Sequence, residues 1–191
     1  MRRIGITGGI GSGKSVVSRL LRIMGYSVYD TDSEAKRLME SSLEVVQKLS
    51  ECFGRDIYDN GRLNRGLLSS RVFGESDKIV LLNSIVHTVV RFDFYRWSES
   101  LNEEICFVES AILYESRFDE LVDEVWTVTA PEELRISRVR QRSGLTEEEI
   151  KKRMAAQLSE EEKQRRAAHI IWNDGNVSVI HRVLSLLKSL E

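Results

Sequence analysis

The 191-residue chain predicts an α/β fold built on a parallel sheet. Three observations carry that expectation. Short apolar runs alternate with stretches of helical pattern, the signature of strand–helix–strand units. The segment GGIGSGKS, residues 8–15, sits between the first apolar run and the start of a helix. Finally, Pro131 is the only proline, and no Gly/Ser linker, internal repeat or low-complexity tract divides the chain.

The elements follow in order. Ile4-Gly5-Ile6 reads as a short buried strand, and residues 14 to about 24 as the helix after it. Ser27-Val28-Tyr29 is a second strand, ending at Asp30-Thr31-Asp32. Residues 105–108, 125–128 and 170–172 are the third, fourth and fifth strands. The last helix shows Val177, Ile180, Val183, Leu184 and Leu187 at the spacing of one face. Two long segments fall outside the sheet. Residues 34–103 are charged, mostly helical in pattern and without a good strand, which reads as a helical insert. Residues 138–165 carry Arg138, Arg140, Arg142, Lys151, Lys152, Arg153, Lys163 and Arg165 with almost no aromatics. Helices with so little apolar surface pack lightly, which suits a mobile lid. A solvated helical hairpin fits the same composition.

Composition narrows the function classes. Apolar residues make up 41% and charged residues 30%, with a net charge of −2. Nothing here gives a global basic field for nucleic acid or a membrane surface. Cys52 and Cys106 lie far apart without CxxC spacing and read as core thiols in a reducing compartment. The start MRRIGITGG lacks the apolar stretch of a signal peptide, and no run reaches the ~18 apolar residues of a membrane span. The expected location is therefore cytoplasmic.

The glycines point to a phosphate. Residues 8–15 fit G-x-x-x-x-G-K-[ST]. Polyphosphate must lie against inward-pointing backbone N–H groups, which side chains would block. The helix that follows offers its positive end. Gly9, Gly11, Ser12, Gly13, Lys14, Ser15 and Val16 are the expected nucleotide contacts. Lys14 is aimed at the β- and γ-phosphates, and the Ser15 hydroxyl is placed to ligate Mg²⁺. Such a pattern arises by accident in about one chain in a hundred of this length, and its strand–loop–helix setting sharpens it. It does not by itself separate a kinase from a GTPase or an ATP-driven machine.

Three further groups accompany the loop. Asp30 and Asp32 end a strand on the edge where ligands bind in open α/β sheets. One could deprotonate an acceptor hydroxyl and one could hold Mg²⁺ through water; capping of the next helix is the other use of such residues. Arg138 and Arg142, at i and i+4, could clamp phosphoryl groups, with Gly144 as a hinge. Asn173-Asp174-Gly175 reads as a tight loop near the adenine end of such sites, or as an ordinary turn with Asn176 capping the last helix.

Taken together, the ordered motifs resemble the dephospho-coenzyme A kinase family along the whole chain. They are IGITGGIGSGKS, DTDSEAK at 30–36, GRLNR at 61–65, VF at 72–73, VHTVVR at 86–91 and ESAILYE at 109–115. RxxxR at 138–142, LT at 145–146, RMAAQ at 153–157 and NDG at 173–175 complete the set. The resemblance implies a P-loop kinase fold, with a five-stranded parallel sheet flanked by helices. In that reading residues 1–33, 104–137 and 166–191 form the nucleotide-binding core, 34–103 a helical substrate domain and 138–165 the lid. It implies phosphorylation of the ribose 3′-hydroxyl of dephospho-coenzyme A by ATP with Mg²⁺; no protein partner is evident in the sequence. Asp32 becomes the general base. Lys14 and Arg142 stabilise the transferring phosphoryl group. Arg138, Asn173 and Gly175 join the nucleotide contacts, and Asp32, Lys36, His87 and Arg91 face the substrate. His87 could instead simply pack and Arg91 be solvated, while Phe92, Tyr95 and Trp97 read as insert core. The chain departs from the family at Thr88, at Lys36, at Ser110-Ala111 and at His169, which bears on substrate-pocket details.

The same residues admit other readings. The same loop, insert and lid would serve a kinase of a nucleoside monophosphate or sugar acid. A regulatory GTPase would use an N-K-x-D loop, which the sequence lacks. An ATP-bound structural module would need neither Asp32 nor a basic lid.

Overall fold

The computed structural model describes residues 1–190. The chain opens with β1 (Arg2–Thr7) and α1 (Lys14–Ile23), followed by β2 (Val28–Asp30), α2 (Thr31–Ser41) and α3 (Leu43–Phe53). A 3-10 turn, Arg55–Ile57, leads into β3 (Tyr58–Asp59) and β4 (Arg62–Leu63), then α4 (Arg65–Val72) and the long α5 (Ser76–Ser100). β5 (Ile105–Glu109), a 3-10 turn at Phe118–Leu121 and β6 (Glu124–Thr129) come next. The chain ends with α6 (Glu132–Ser143), α7 (Glu147–Ala155), α8 (Glu160–Arg166), β7 (His169–Trp172) and α9 (Val179–Lys188). It divides into two units, one of Met1–Asp30 with the chain from Asn102 onward, the other of Thr31–Leu101.

The first unit carries the expected five-stranded sheet, in the order β2-β5-β1-β6-β7 and parallel throughout. Alternation along a strand sends every second side chain to one face. Ile4 and Ile6, Phe107, Trp126 and Val128, and Ile171 thereby form one apolar surface, covered by Val17 and Leu21 of α1 and Val183, Leu186 and Leu187 of α9. Edge-on aromatic contacts tie it together, Tyr26–Phe107 and Phe107–Trp126 both at 5.5 Å. Each large side chain taken fully out of water contributes about 1.5–3 kcal/mol. β1 lies mid-sheet. The chain leaves it for β2 on one side and reaches β6 on the other, which opens a crevice at its carboxyl end.

Two details differ from the sequence expectation. Thr31 and Asp32 belong to the first turn of α2, because strand pairing ends at Asp30↔Glu109. On α9 the buried stripe is Val183, Leu186 and Leu187, whereas Val177, Ile180 and Leu184 are exposed. The helix starts only at Val179, so counting from Val177 sets the wrong phase.

The second unit is helical with one small exception. Residues 58–63 form a two-stranded hairpin, β3–β4, in a stretch read as strandless. Asn60 and Gly61 take positive φ at its tip, which lets two residues reverse the chain. Val45, Leu49 and Phe53, four apart on α3, pack with Ile57, Leu63, Leu68 and Val72. Cys52 falls between the stripe residues of α3 and is exposed, not a core thiol; Cys106 is buried as expected. On α5 the buried residues are Val86, Val90, Phe94 and Ser98. Phe92 and Tyr95 lie off that face and are exposed, whereas the third expected insert aromatic, Trp97, has its ring 6.0 Å from Phe94. Among the described residues no helix is long and apolar enough to cross a membrane.

Candidate active site

The phosphate loop is the link between β1 and α1. Gly8, Gly11 and Gly13 all have positive φ. Gly13 shows why the residue type matters: it caps α1 at φ 102°, and a Cβ there would lie 2.0 Å from the Asn173 amide nitrogen. α1 has no side-chain cap and no acidic residue in its first turn. The positive end of the helix is thus left without a matching charge from its own sequence. Such an end, lined by glycine backbone, is built for an anion. The Ser12 side chain is buried with its hydroxyl unpartnered, while Ser15 and Val16 are exposed.

Neighbouring elements hold the loop from outside. Lys14 Nζ donates to Gly8 O at 2.9 Å, curling back over the loop. Asn173, just after β7, donates from its amide to Ser12 O at 2.8 Å. Arg138 of α6 donates to Asn173 O at 2.9 Å and to Gly11 O at 3.5 Å. Arg138 and Asn173 therefore sit at the loop, with their donors on Gly11 O and Ser12 O. Arg142, one turn further along α6, is exposed. Gly144 ends α6 as a left-handed cap at φ 68°. Gly175 also turns at positive φ, but the cap of α9 is Ser178, not Asn176, whose side chain instead pairs with Asp174.

The exposed Ser15 hydroxyl is the oxygen on this loop that would fit a magnesium ion carried by a nucleotide. Among the described residues no cluster of three acidic, histidine or cysteine side chains forms a metal cage. Mg²⁺ brought in on a triphosphate does not need one, since phosphate oxygens, waters and a single hydroxyl such as that of Ser15 complete its shell.

The other expected site residues lie in the Thr31–Leu101 unit. Asp32 is exposed in the first turn of α2, with Lys36 one turn later on the same side of the helix. His87 and Arg91 are one turn apart on α5 and half-buried. Burial, and then the Arg91 guanidinium, hold His87 below the usual histidine range, which favours its neutral form. α2 packs on α5, pinned by the Arg37–Asp93 ion pair at 2.9 Å.

A model of the dephospho-CoA kinase family matches residues 2–178. The chain belongs to that family. Among relatives, the dephospho-CoA kinase of Porphyromonas gingivalis is 40% identical over 191 residues, covering all of this chain and 95% of its own. That of Corynebacterium diphtheriae is 40% identical over 187 residues, covering 96% of this chain and 94% of its own. The solved dephospho-CoA kinase of Campylobacter jejuni superposes with a TM-score of 0.74 at 23% identity, covering 100% of this chain and 98% of that one, a likeness of fold.

Several motif residues of this dephospho-CoA kinase family member prove to have structural duties. Asn64 of GRLNR caps α4, accepting from Leu67 N at 3.0 Å. Thr88 returns its hydroxyl to Ser84 O at 2.7 Å within α5. Ser110 N donates to Ile6 O at 3.0 Å, and His169 starts β7 with its ring edge-on to Trp126. The residues that sequence reasoning missed are on the 138–165 segment and its approach. Glu160 and Gln157 accept from the amides of Gly9 and Ile10 at 2.8 and 3.1 Å. Arg135 is buried against Glu160, and Lys163 is fully buried with Nζ on Ala111 O at 3.1 Å. Nor does the segment pack as lightly as its composition suggested. Ile136, Val139 and Ile150 cluster with Ile10 of the phosphate loop, Leu145 and Met154. Arginine, glutamine and glutamate in a charged run carry no mark of burial, so only the RMAAQ motif hinted at Gln157.

Proposed function

We infer that the protein transfers the γ-phosphoryl group of ATP to the ribose 3′-hydroxyl of dephospho-coenzyme A, giving coenzyme A and ADP, the last step of coenzyme A synthesis. The observation that carries this reading is the family match over residues 2–178, which spans a strand–loop–helix site built for phosphate. The amides from Gly11 to Val16 and the N-terminus of α1 hold the phosphates. Lys14 exchanges its contact with Gly8 O for the β- and γ-oxygens. Arg142, exposed and one turn beyond the loop-bound Arg138, supplies the second cation. These charges stabilise negative charge on the equatorial oxygens as the phosphoryl group moves. Ser15 would hold a Mg²⁺ carried on the nucleotide, which would supply further positive charge there. Arg138, Asn173 and Gly175 form the nucleotide end.

Asp32, two residues past the end of β2, takes the proton of the 3′-hydroxyl as its oxygen attacks the γ-phosphorus and the bond to ADP breaks. Lys36, His87 and Arg91 serve the acceptor, with the Thr31–Leu101 unit as its domain and residues 138–165 as a lid. The chemistry needs no protein partner. Two free cysteines suit a cytoplasmic setting.

Asp32→Asn tests the mechanism. It keeps the shape of the side chain but cannot accept the proton. Turnover should fall by roughly a hundred- to ten-thousand-fold, while ATP binding by calorimetry stays within about threefold. If Asp32→Asn keeps most of its turnover and Asp32→Ala mainly lowers the melting temperature, Asp32 is a helix-end residue and the base lies elsewhere.

A further inference from the structure

The amide side of the phosphate loop is held by a buried ion pair that the chemistry above does not use. Glu160, first residue of α8, accepts the Gly9 N–H on Oε1 at 2.8 Å. The same oxygen lies 3.2 Å from Arg135 Nη1. Its other oxygen accepts the Thr129 hydroxyl at 2.9 Å, and Thr129 in turn accepts from Gln164 at 3.1 Å. The Arg135 and Glu160 side chains are only 8% and 13% exposed. Gly9 leaves room for them, since a Cβ there would stand 2.3 Å from Glu160 Oε1 and 2.4 Å from Arg135 Nη1. The Gly9 carbonyl is fixed as well, accepting from Ser12 N at 3.1 Å. Gln157 repeats the arrangement one residue on, accepting from Ile10 N and donating to Ala111 O at 3.5 Å.

A carboxylate placed on a phosphate loop would by itself oppose a triphosphate. Arg135 offsets that charge and leaves the hydrogen bond. We propose that Glu160 is a positioning residue for ATP: paired with Arg135, it fixes the Gly9 amide and so sets the shape of the phosphate loop. This rests on the reading that the loop binds ATP. The pair orders its own variants. Removing Arg135 leaves the Glu160 carboxylate beside the loop without its ion-pair partner, with Lys163 as the remaining nearby cation, so it is worse than removing Glu160. Glu160→Gln keeps an oxygen for the Gly9 amide. Glu160→Asp keeps the charge but withdraws it by one methylene.

The test measures the Kd of Mg·ATP by calorimetry, both KM values and the melting temperature for each variant. A loop displaced by a fraction of an ångström costs about tenfold or more. The KM for ATP should rise about tenfold in Glu160→Ala, further in Arg135→Ala and about fivefold in Glu160→Asp. It should stay within about threefold in Glu160→Gln, and the double variant Arg135→Ala/Glu160→Gln should recover most of the Arg135→Ala loss. The KM for the acceptor should not move. Unchanged ATP affinity in Glu160→Asp and Arg135→Ala, with lowered melting temperatures, would make the pair a brace for the fold alone. Tighter ATP binding by Glu160→Ala would mean that the carboxylate competes with nucleotide. Either result overturns the proposal. Lys14→Ala is the control: if the unaltered protein binds ATP no better than Lys14→Ala does, the nucleotide reading itself falls.

Discussion

Two helices begin at the phosphate loop and treat their N-termini in opposite ways. α1 starts at Lys14 with no side-chain cap and no acidic residue in its first turn. α8 starts with Glu160, Glu161 and Glu162, and its cap Ser159 accepts from Glu162 N at 3.2 Å. The backbone field is the same at both ends. At α8 the chain matches that field itself and directs one carboxylate across to Gly9. At α1 it is left for something from outside. Among the described residues every other α-helix has a side-chain cap or an acidic residue in its first turn, so the end that has neither marks where a ligand belongs, and the glycines around it keep the approach open.

Substitutions at the two helix ends should differ in the size of their effects. The largest change should come from Lys14→Ala, which removes the cation at the α1 end. Turnover should fall by on the order of a hundredfold or more with little loss of melting temperature. Near-normal steady-state rates would show that this end is not where charge develops. Next, α1 can be given what α8 has. Val16 is 55% exposed in the first turn of α1, so Val16→Glu disturbs no core. By the helix dipole alone it should leave the protein as stable or slightly more so. Against a triphosphate it should weaken ATP binding by roughly tenfold or more at low salt, less so at high salt. Unchanged ATP affinity would remove the reason for the bare end.

Smaller effects belong to α8. Ser159→Ala should lower stability by about 1 kcal/mol in chemical unfolding, the usual cost of losing a cap. The smallest effect is in pH. The Glu161 carboxyl is held below its ordinary value of 4.5 by its own backbone N–H and then by Ser159. Its folded value is the lower one, so its contribution is fully present above about 4.5 and fades as pH falls through the folded value. Glu161→Gln should therefore narrow the drop in melting temperature between neutral and strongly acid pH. An identical drop in both proteins would show that this helix end gains nothing from the charge.

What could be read from the sequence follows the same division. The loop was legible because its constraints are local: a run of glycines, a lysine and a serine in eight consecutive residues between a strand and a helix. The five strands were legible because buried parallel strands are short apolar runs. The brace on the loop was not, since Gly9 and Glu160 lie 151 residues apart and Glu160 stands in a run that looks solvated. Lys163 misleads in the same way, for it is fully buried yet carries the most water-loving of side chains. On α5, aromatic type suggested core for Phe92 and Tyr95, whereas the four-residue spacing of Val86, Val90, Phe94 and Ser98 is what decides the buried face. Residue type predicts burial only where the phase of the helix agrees with it.

In the proposed reaction the bare end of α1 receives ATP for transfer to one acceptor. The most direct measurement is coupled ADP release with Mg·ATP and a panel of acceptors: dephospho-coenzyme A, AMP, UMP, shikimate and gluconate. ADP release should be rapid with dephospho-coenzyme A alone, and the product should carry its new phosphate on the ribose 3′-oxygen. Faster turnover of AMP or any other member of the panel, or release indifferent to the acceptor, would contradict it.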